Sequence, residues 1–154
     1  MGGRRLTRVN WSIFAIGKPK LGFARAGVEE YATRLRGFAP VTLDCLKSST
    51  RETESALLLQ RSEKMLRIVL DERGEEITSR ALAGKIAAWE QQSVKSVAVL
   101  IGGADGHTEA LRAAAGWTWS LSRLTLQHEL ALVVLYEQIY RAYSIKAGLP
   151  YHRD

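Results

Sequence analysis

The stretch SVAVLIGGADGH, residues 96–107, decides the fold class of this chain. Its first half, residues 96–101, is a continuous apolar run, which is typical of a strand that is covered on both faces of a sheet. Three glycines follow within five positions, at Gly102, Gly103 and Gly106, and they end the strand abruptly. A buried strand that stops at glycines before a helical segment predicts an α/β fold.

Strand and helix signals alternate on both sides of this stretch. The predicted strands are residues 9–16, 41–46, 67–71, 96–101 and about 117–121. Helices are predicted between them, and a long apolar helix is predicted from about residue 129 to residue 147. Residues 71–74 are predicted to form an acidic turn, and Ser79 is predicted to cap the next helix. The expected architecture is a mostly parallel sheet with helices on both faces.

The composition is typical of one soluble domain spanning residues 1–154, with 46% hydrophobic and 25% charged residues. The single cysteine, Cys45, lies in an apolar stretch, is expected to be buried and fits a reducing cytoplasm. The longest wholly apolar run, residues 130–136, is far shorter than the roughly 20 residues that span a bilayer. We therefore expect a cytoplasmic protein without a membrane span. The net charge of +6 favours an anionic partner such as nucleic acid.

Ligands of parallel sheets bind beyond the carboxyl ends of the strands, so the loops after Leu70, Ile101 and Leu121 are candidate binding loops. The glycines after Ile101 allow backbone amides to approach a ligand closely, but a tight turn between strand and helix needs glycines too. The loop lacks both the G-x-G-x-x-G spacing and a Lys-Ser/Thr pair, which disfavours a nucleotide-phosphate site. His107 is predicted to lie at the surface.

The segment 119–128, WSLSRLTLQH, joins small hydroxyl side chains to leucines and is predicted to be a binding loop. An adenosine needs apolar walls for the purine, and polar groups for the base edge and ribose. The residues that offer these groups are Leu121, Ser122, Leu124, Thr125 and Leu126. An ordinary approach to the N-terminus of the last helix is the alternative that the residues alone leave open.

Catalytic signatures of the common kinds are missing from the chain. The three histidines and the cysteine lack the spacing of a zinc site, there is no H-E-x-x-H, and no metal is expected. A G-x-S-x-G nucleophile motif is missing too. Glu137 and Arg141 are spaced for an i,i+4 salt bridge on a solvated helix face. The polar tail, residues 150–154, has the composition of a frayed terminus.

Five segments, taken together and in order, resemble the signature of the ribosomal large-subunit methyltransferase H (RlmH) family of the SPOUT superfamily. They are residues 70–74 (LDERG), 101–106 (IGGADG), 120–128 (SLSRLTLQH), 137–142 (EQIYRA) and 151–153 (YHR). The resemblance covers nearly the whole chain and is strongest from residue 67 to the end. Residues 1–8 look like an N-terminal extension, and Gln127 stands where a proline is common in the family.

This resemblance implies a minimal SPOUT methyltransferase fold with a C-terminal trefoil knot, in a homodimer. A dimer interface would also bury the last helix, which is apolar nearly all round. The implied methyl donor is S-adenosyl-L-methionine, and the implied substrate is N3 of a pseudouridine in the 23S rRNA of the assembled ribosome. The implied cofactor-binding residues are Leu70, Gly102, Gly103, Gly106, Leu121, Ser122, Arg123, Leu124, Thr125 and Leu126.

The resemblance also implies a catalytic role for Arg141 and for the tail residues Tyr151, His152 and Arg153. Arg141 or Arg153 would favour ionisation of the pseudouridine imide, and His152 is the residue type that accepts a proton near neutral pH. Tyr151 would stack on the base, and the tail would act in the site of the partner subunit. Two other classes of protein remain as rivals: a dinucleotide-dependent oxidoreductase module, and an RNA-binding factor for ribosome assembly that performs no chemistry.

Overall fold

Five parallel strands lie at the centre of the part of the chain, residues 8–151, that the computed structural model describes. They are β1 (Asn10–Ile16), β2 (Val41–Leu46), β3 (Leu66–Glu75), β4 (Ser96–Ile101) and β5 (Trp117–Trp119). The strands pair in the order β2-β1-β4-β3-β5, and every pairing is parallel. The predicted α/β fold with a parallel sheet is therefore confirmed. The predicted N-terminal extension lies outside the described residues except for Arg8.

Helices alternate with the strands. They are α1 (Gly22–Leu35), α2 (Arg51–Arg61), α3 (Ser79–Gln91), α4 (Glu109–Ala113) and α5 (His128–Lys146). The prediction that Ser79 caps α3 is wrong by one residue, because the Thr78 hydroxyl accepts from the backbone N–H of Ala81. The Gln127 side chain caps α5 by accepting from the N–H groups of Glu129 and Leu130, both at 2.9 Å. None of the described helices is long and apolar enough to cross a membrane.

Both faces of the sheet are covered, which is why the central strands are apolar at successive positions. On one face, the helices α1, α3 and α5 bury a core that includes Trp11, Ile86 and Leu135. On the other face, α2 and α4 cover a smaller core around Leu58 and Leu100. α5 packs against both α1 and α3, so the last helix is covered by helices as well as by the sheet.

Residues 71–74 do not form the predicted turn, because they lie within β3 as a bulge. Leu70 and Glu75 both pair with Trp119 of β5, and the residues between them are looped out. This pairing links segments about 45 residues apart, so local sequence signals do not reveal it. The bulge turns Asp71, Glu72 and Arg73 toward the carboxyl edge of the sheet. The expectation of a buried Cys45 is also wrong, since it is half-buried on the edge strand β2.

Candidate active site

A cavity of about 580 Å³ opens at the carboxyl ends of β3, β4 and β5. Its volume lies within the range of about 300–1,000 Å³ that is usual for small-molecule sites. The residues predicted to bind a cofactor that line it are Leu70, Gly102, Gly103, Gly106, Leu121, Ser122, Leu124, Thr125 and Leu126. Arg123 does not line it, because its side chain is 70% exposed and pairs with Glu76 at 3.5 Å.

The three glycines of the loop after β4 are each required for a different local reason. Gly106 has a φ of +74° and donates its N–H to the carbonyl of Gly103 at 3.0 Å. A Cβ at Gly102 would lie 2.9 Å from Cε1 of His107. A Cβ at Gly103 would lie 3.0 Å from Oε1 of Glu54. The loop is therefore held on both sides, and its backbone forms one wall of the cavity.

His107 is buried, so the prediction that it lies at the surface is wrong. The side chain is only 4% exposed, because the tight loop turns it back against Gly102 beside the cavity. Neither ring nitrogen makes a hydrogen bond of ordinary geometry, although the backbone of Leu70 and Leu100 is close enough to raise the pKa of the ring. Burial lowers the pKa of His107, and the Arg112 cation adds to this effect, while the Asp71 carboxylate raises it. Burial therefore favours the neutral form of the imidazole.

Charged groups of both signs face the cavity from the bulge in β3 and from α4. Asp71 accepts the backbone N–H of Arg73 at 2.9 Å and pairs with the guanidinium groups of Arg73 and Arg112, each at 3.2 Å. Burial raises the pKa of Asp71, but the hydrogen bonds and charges of the two arginines outweigh it and hold that pKa below its ordinary value. The cavity thus offers a carboxylate and two guanidinium groups to a ligand.

The loop after β5, residues 120–127, closes the cavity on the third side. Ser122 fixes its shape, since its carbonyl accepts the Ser120 hydroxyl at 2.9 Å and its hydroxyl accepts the Leu124 N–H at 3.0 Å. The Thr125 hydroxyl donates to Oε2 of Glu72 at 2.5 Å, which ties the loop to the β3 bulge. The first turn of α5 completes the wall with His128.

Arg141 and Tyr151 lie together, but neither lines this cavity. Arg141 pairs with Glu137 at 2.7 Å, and the two side chains are 28% and 19% exposed, so this i,i+4 pair is half-buried rather than solvated. The Tyr151 hydroxyl donates to the same Glu137 oxygen at 3.1 Å, and the Arg141 guanidinium lies 4.8 Å from the centre of the Tyr151 ring. Burial, with Tyr31 and Glu137, raises the pKa of Tyr151. His152 and Arg153 lie outside the described residues.

The sequence did not predict a binding role for four charged residues that line the cavity. Asp71, Glu72 and Arg73 lie in the segment LDERG, residues 70–74, but the bulge determines their orientation toward the cavity. Arg112 comes from α4, and a lone arginine on a short helix gives no sequence signal of a site. Within residues 8–151 there is no group of three or more His, Cys, Asp or Glu side chains that could hold a metal ion.

Comparisons with known proteins identify the family. The sequence profile of a family described as "Predicted SPOUT methyltransferase" matches residues 9–152. A Thermus thermophilus protein named Ribosomal RNA large subunit methyltransferase H is 48% identical over 141 residues, which cover 92% of this chain and 96% of that protein. A protein of the same name from Deinococcus radiodurans is 43% identical over 141 residues, covering 92% and 97%.

The fold has counterparts among solved structures. A probable methylase family protein from Haemophilus influenzae aligns with a TM-score of 0.59 and 14% identity, over 90% of this chain and 66% of that one. At this identity the likeness concerns the fold alone. The family profile, which spans nearly the whole chain, and the two relatives above 40% identity establish the relationship. The chain belongs to the SPOUT methyltransferase family.

Proposed function

We propose that this protein methylates large-subunit ribosomal RNA, using S-adenosyl-L-methionine as the methyl donor. The target proposed is N3 of a pseudouridine in the 23S rRNA of the assembled ribosome, in the cytoplasm. One observation carries the proposal: three loops that are distant in sequence form one cavity at the carboxyl edge of the sheet. Family membership supplies the reaction class, and the names of the relatives supply the RNA.

The chemistry of the cavity fits this methyl donor. Leu70, Leu121 and Leu126 offer apolar surface to a purine, and the glycine loop offers backbone groups at close range. S-adenosyl-L-methionine supplies an electrophilic methyl group on a sulfonium cation, and it also carries an ammonium and a carboxylate. Asp71 provides an anion for the cationic groups, and Arg112 provides a cation for the carboxylate. These residues would bind and orient the donor, with Arg123 at the outer rim of the loop.

Transfer to N3 requires that the pseudouridine imide lose its proton. A positively charged guanidinium group beside the base would favour that ionisation, and we propose that Arg141 or Arg153 provides it. His152 would accept the proton, and Tyr151 would stack on the base. The remaining contribution is positional, because holding the nitrogen in line with the methyl group removes much of the entropic barrier.

We propose that the protein acts as a homodimer in which the tail of one subunit completes the cavity of the other. The Arg141–Tyr151 pair supports this arrangement, because it does not line the cavity of its own chain. Apolar side chains at the start of α1 and α5 are also uncovered, with Phe23 55% exposed and Leu130 38% exposed. A two-fold interface between these helices would bury both side chains.

The C-terminal trefoil knot belongs to the same proposal. After β5, the backbone N–H of Ser120 donates to the carbonyl of Glu75 at 2.9 Å, so the chain runs along the β3 bulge before it turns back. It then passes the cavity and enters α5, which packs between α1 and α3. Family membership supports the knot, and the packing of α5 against both α1 and α3 is compatible with it.

Methyl transfer from labelled S-adenosyl-L-methionine to ribosomes tests the proposed reaction. Ribosomes with the target pseudouridine should be labelled, and ribosomes with uridine at that position should not. Deleting residues 151–154 should abolish transfer while leaving S-adenosylhomocysteine binding intact. A truncated protein that still turns over would exclude the tail from catalysis, and label in neither ribosome preparation would reject the proposed target.

A further inference from the structure

The carboxyl edge of the sheet has two halves. The cavity occupies the ends of β3, β4 and β5, and the ends of β1 and β2 form the other half. Because β1 lies between β2 and β4, the loops that follow β1 and β2 adjoin the glycine loop. Those two loops, residues 17–21 and 47–50, contribute no residue to the cavity wall.

Four exposed basic side chains belong to this second half, and we refer to them as the basic rim. They are Lys18, Lys20, Arg25 and Lys47. None of them forms an ion pair within residues 8–151, although many other basic side chains do. Unpaired cations on two adjacent loops and the first turns of α1 give this half of the edge a positive field.

Two carboxylates lie beneath the basic rim, and both are buried. Glu54 of α2 is 4% exposed, and its Oε2 accepts the backbone N–H of Ser49 at 2.8 Å. Glu129 of α5 is 7% exposed, and its Oε1 accepts the backbone N–H groups of Lys20 and Leu21. These hydrogen bonds lower the pKa of Glu129. The negative charges therefore fix the loops from inside, and the lysine side chains project outward.

The same carboxylates connect the basic rim to the cavity. Oε1 of Glu54 lies 3.0 Å from the position that a Cβ would take at Gly103, which lines the cavity. Glu129 directly follows His128, another residue of the cavity wall. A polyanion that crosses the basic rim would thus pass beside the mouth of the cavity.

We propose that the basic rim binds the phosphate backbone of the RNA strand that presents its base to the cavity. The proposal rests on the proposed function only in taking RNA as the substrate. Lysine suits this task, because its ammonium group is a point charge that follows phosphates without reading sequence. The affinity it supplies must fall steeply with salt, since each phosphate contact releases counterions.

A matched pair of double variants tests the basic rim. Lys18→Gln with Lys47→Gln removes one charge from each of its loops. Lys64→Gln with Lys95→Gln removes two exposed charges that form no ion pair within residues 8–151 and lie just before β3 and β4, at the opposite edge of the sheet. The binding of a fluorescent RNA stem-loop is measured against KCl concentration. The slope of log affinity against log salt is negative, and each phosphate contact contributes about 0.7–0.9 to its magnitude. The loss of two contacts should therefore reduce that magnitude by about 1.4 to 1.8 in the rim variant, whereas the control variant should keep the wild-type slope.

Both variants should bind S-adenosylhomocysteine like the wild type, which shows that the cavity is intact. Equal losses in the two variants would overturn the proposal, because net charge alone would then explain the binding. An unchanged slope in the rim variant, or no binding of the stem-loop by the wild type, would overturn it as well. If the wild type fails to methylate ribosomes while only the rim variant loses RNA affinity, the proposed reaction is rejected and the basic rim stands.

Discussion

Gly102→Ala should weaken S-adenosylhomocysteine binding by about 5- to 150-fold. The added Cβ would lie 2.9 Å from Cε1 of His107 and 3.2 Å from the carbonyl carbon of Gly106. Ordinary contact begins near 3.4 Å, so one partner must shift by about 0.5 Å. His107 is 4% exposed and lines the cavity, so either its ring or the glycine loop must shift, and both changes alter the cavity wall. Overpacking of this kind costs about 1–3 kcal/mol, which corresponds to that range of affinity.

Isothermal titration calorimetry measures the loss directly, and two further variants locate its cause. Gly84→Ala, in α3, adds a Cβ with no atom within 4 Å. This control should bind as the wild type does and gain about 0.5–1 kcal/mol of stability. Gly102→Ala combined with His107→Ala should recover part of the lost affinity, because the closest contacts, with the His107 ring, are removed while the contact with the Gly106 backbone remains. Wild-type affinity in the single variant, or no recovery in the double variant, would refute the steric argument.

Three further predictions concern the core, the buried histidine and the loop after β5. Tyr143→Phe should lower the free energy of unfolding, measured with urea, by about 1–3 kcal/mol. The reason is that the buried Trp11 Nε1, which donates to the Tyr143 hydroxyl at 2.9 Å, loses its partner. An unchanged midpoint and slope of the urea unfolding curve would contradict this prediction. Because the pKa of His107 is lowered in the folded protein, the unfolded chain binds more protons below about pH 6.5, and the stability that the neutral ring supplies at pH 7 is lost as the pH falls toward the folded-state pKa. His107→Leu should flatten that part of the stability profile by at most about 1.4 kcal/mol per pH unit, and a profile as steep as that of the wild type would exclude this origin. Thr125→Val removes the hydrogen bond to Glu72 and should speed S-adenosylhomocysteine release about two- to fivefold in stopped-flow displacement; an unchanged rate would show that this bond does not hold the loop.

Local signals predicted the sheet well where burial itself determines the structure. Residues 41–46 and 96–101 are strands with the predicted bounds, but only the second is a continuous apolar run buried on both faces, whereas β2 is a half-buried edge strand. The sequence did not predict the bulge at residues 71–74, because the bulge depends on the pairing of both Leu70 and Glu75 with Trp119. The sequence did not predict the burial of His107 either, because the direction of that side chain depends on the backbone of a loop with three glycines.

The location of the site followed from a rule about parallel sheets, whereas its electrostatics did not. Each of the three loops predicted at the carboxyl edge contains unusual chemistry, and together they form one cavity. The contributions of Arg112 and Glu72 depend on contacts across 41 and 53 positions of the sequence. Such contacts have no local periodicity, so only the folded chain shows which charges face the cavity.

Three carboxylates from three different elements explain how a loop-built edge stays ordered. Glu54 of α2 holds the loop after β2, Glu129 of α5 holds the loop after β1, and Asp71 holds the bulge of β3, each by accepting a backbone N–H. Glu54 and Glu129 hold their loops through backbone N–H donors, whereas Asp71 also pairs with Arg73 and Arg112. Because Glu54 and Glu129 accept backbone N–H groups, they leave the cations of the basic rim without an ion pair in the described part of the chain. The same hydrogen bonds that order the cavity therefore also produce the positive surface beside it, where RNA would dock.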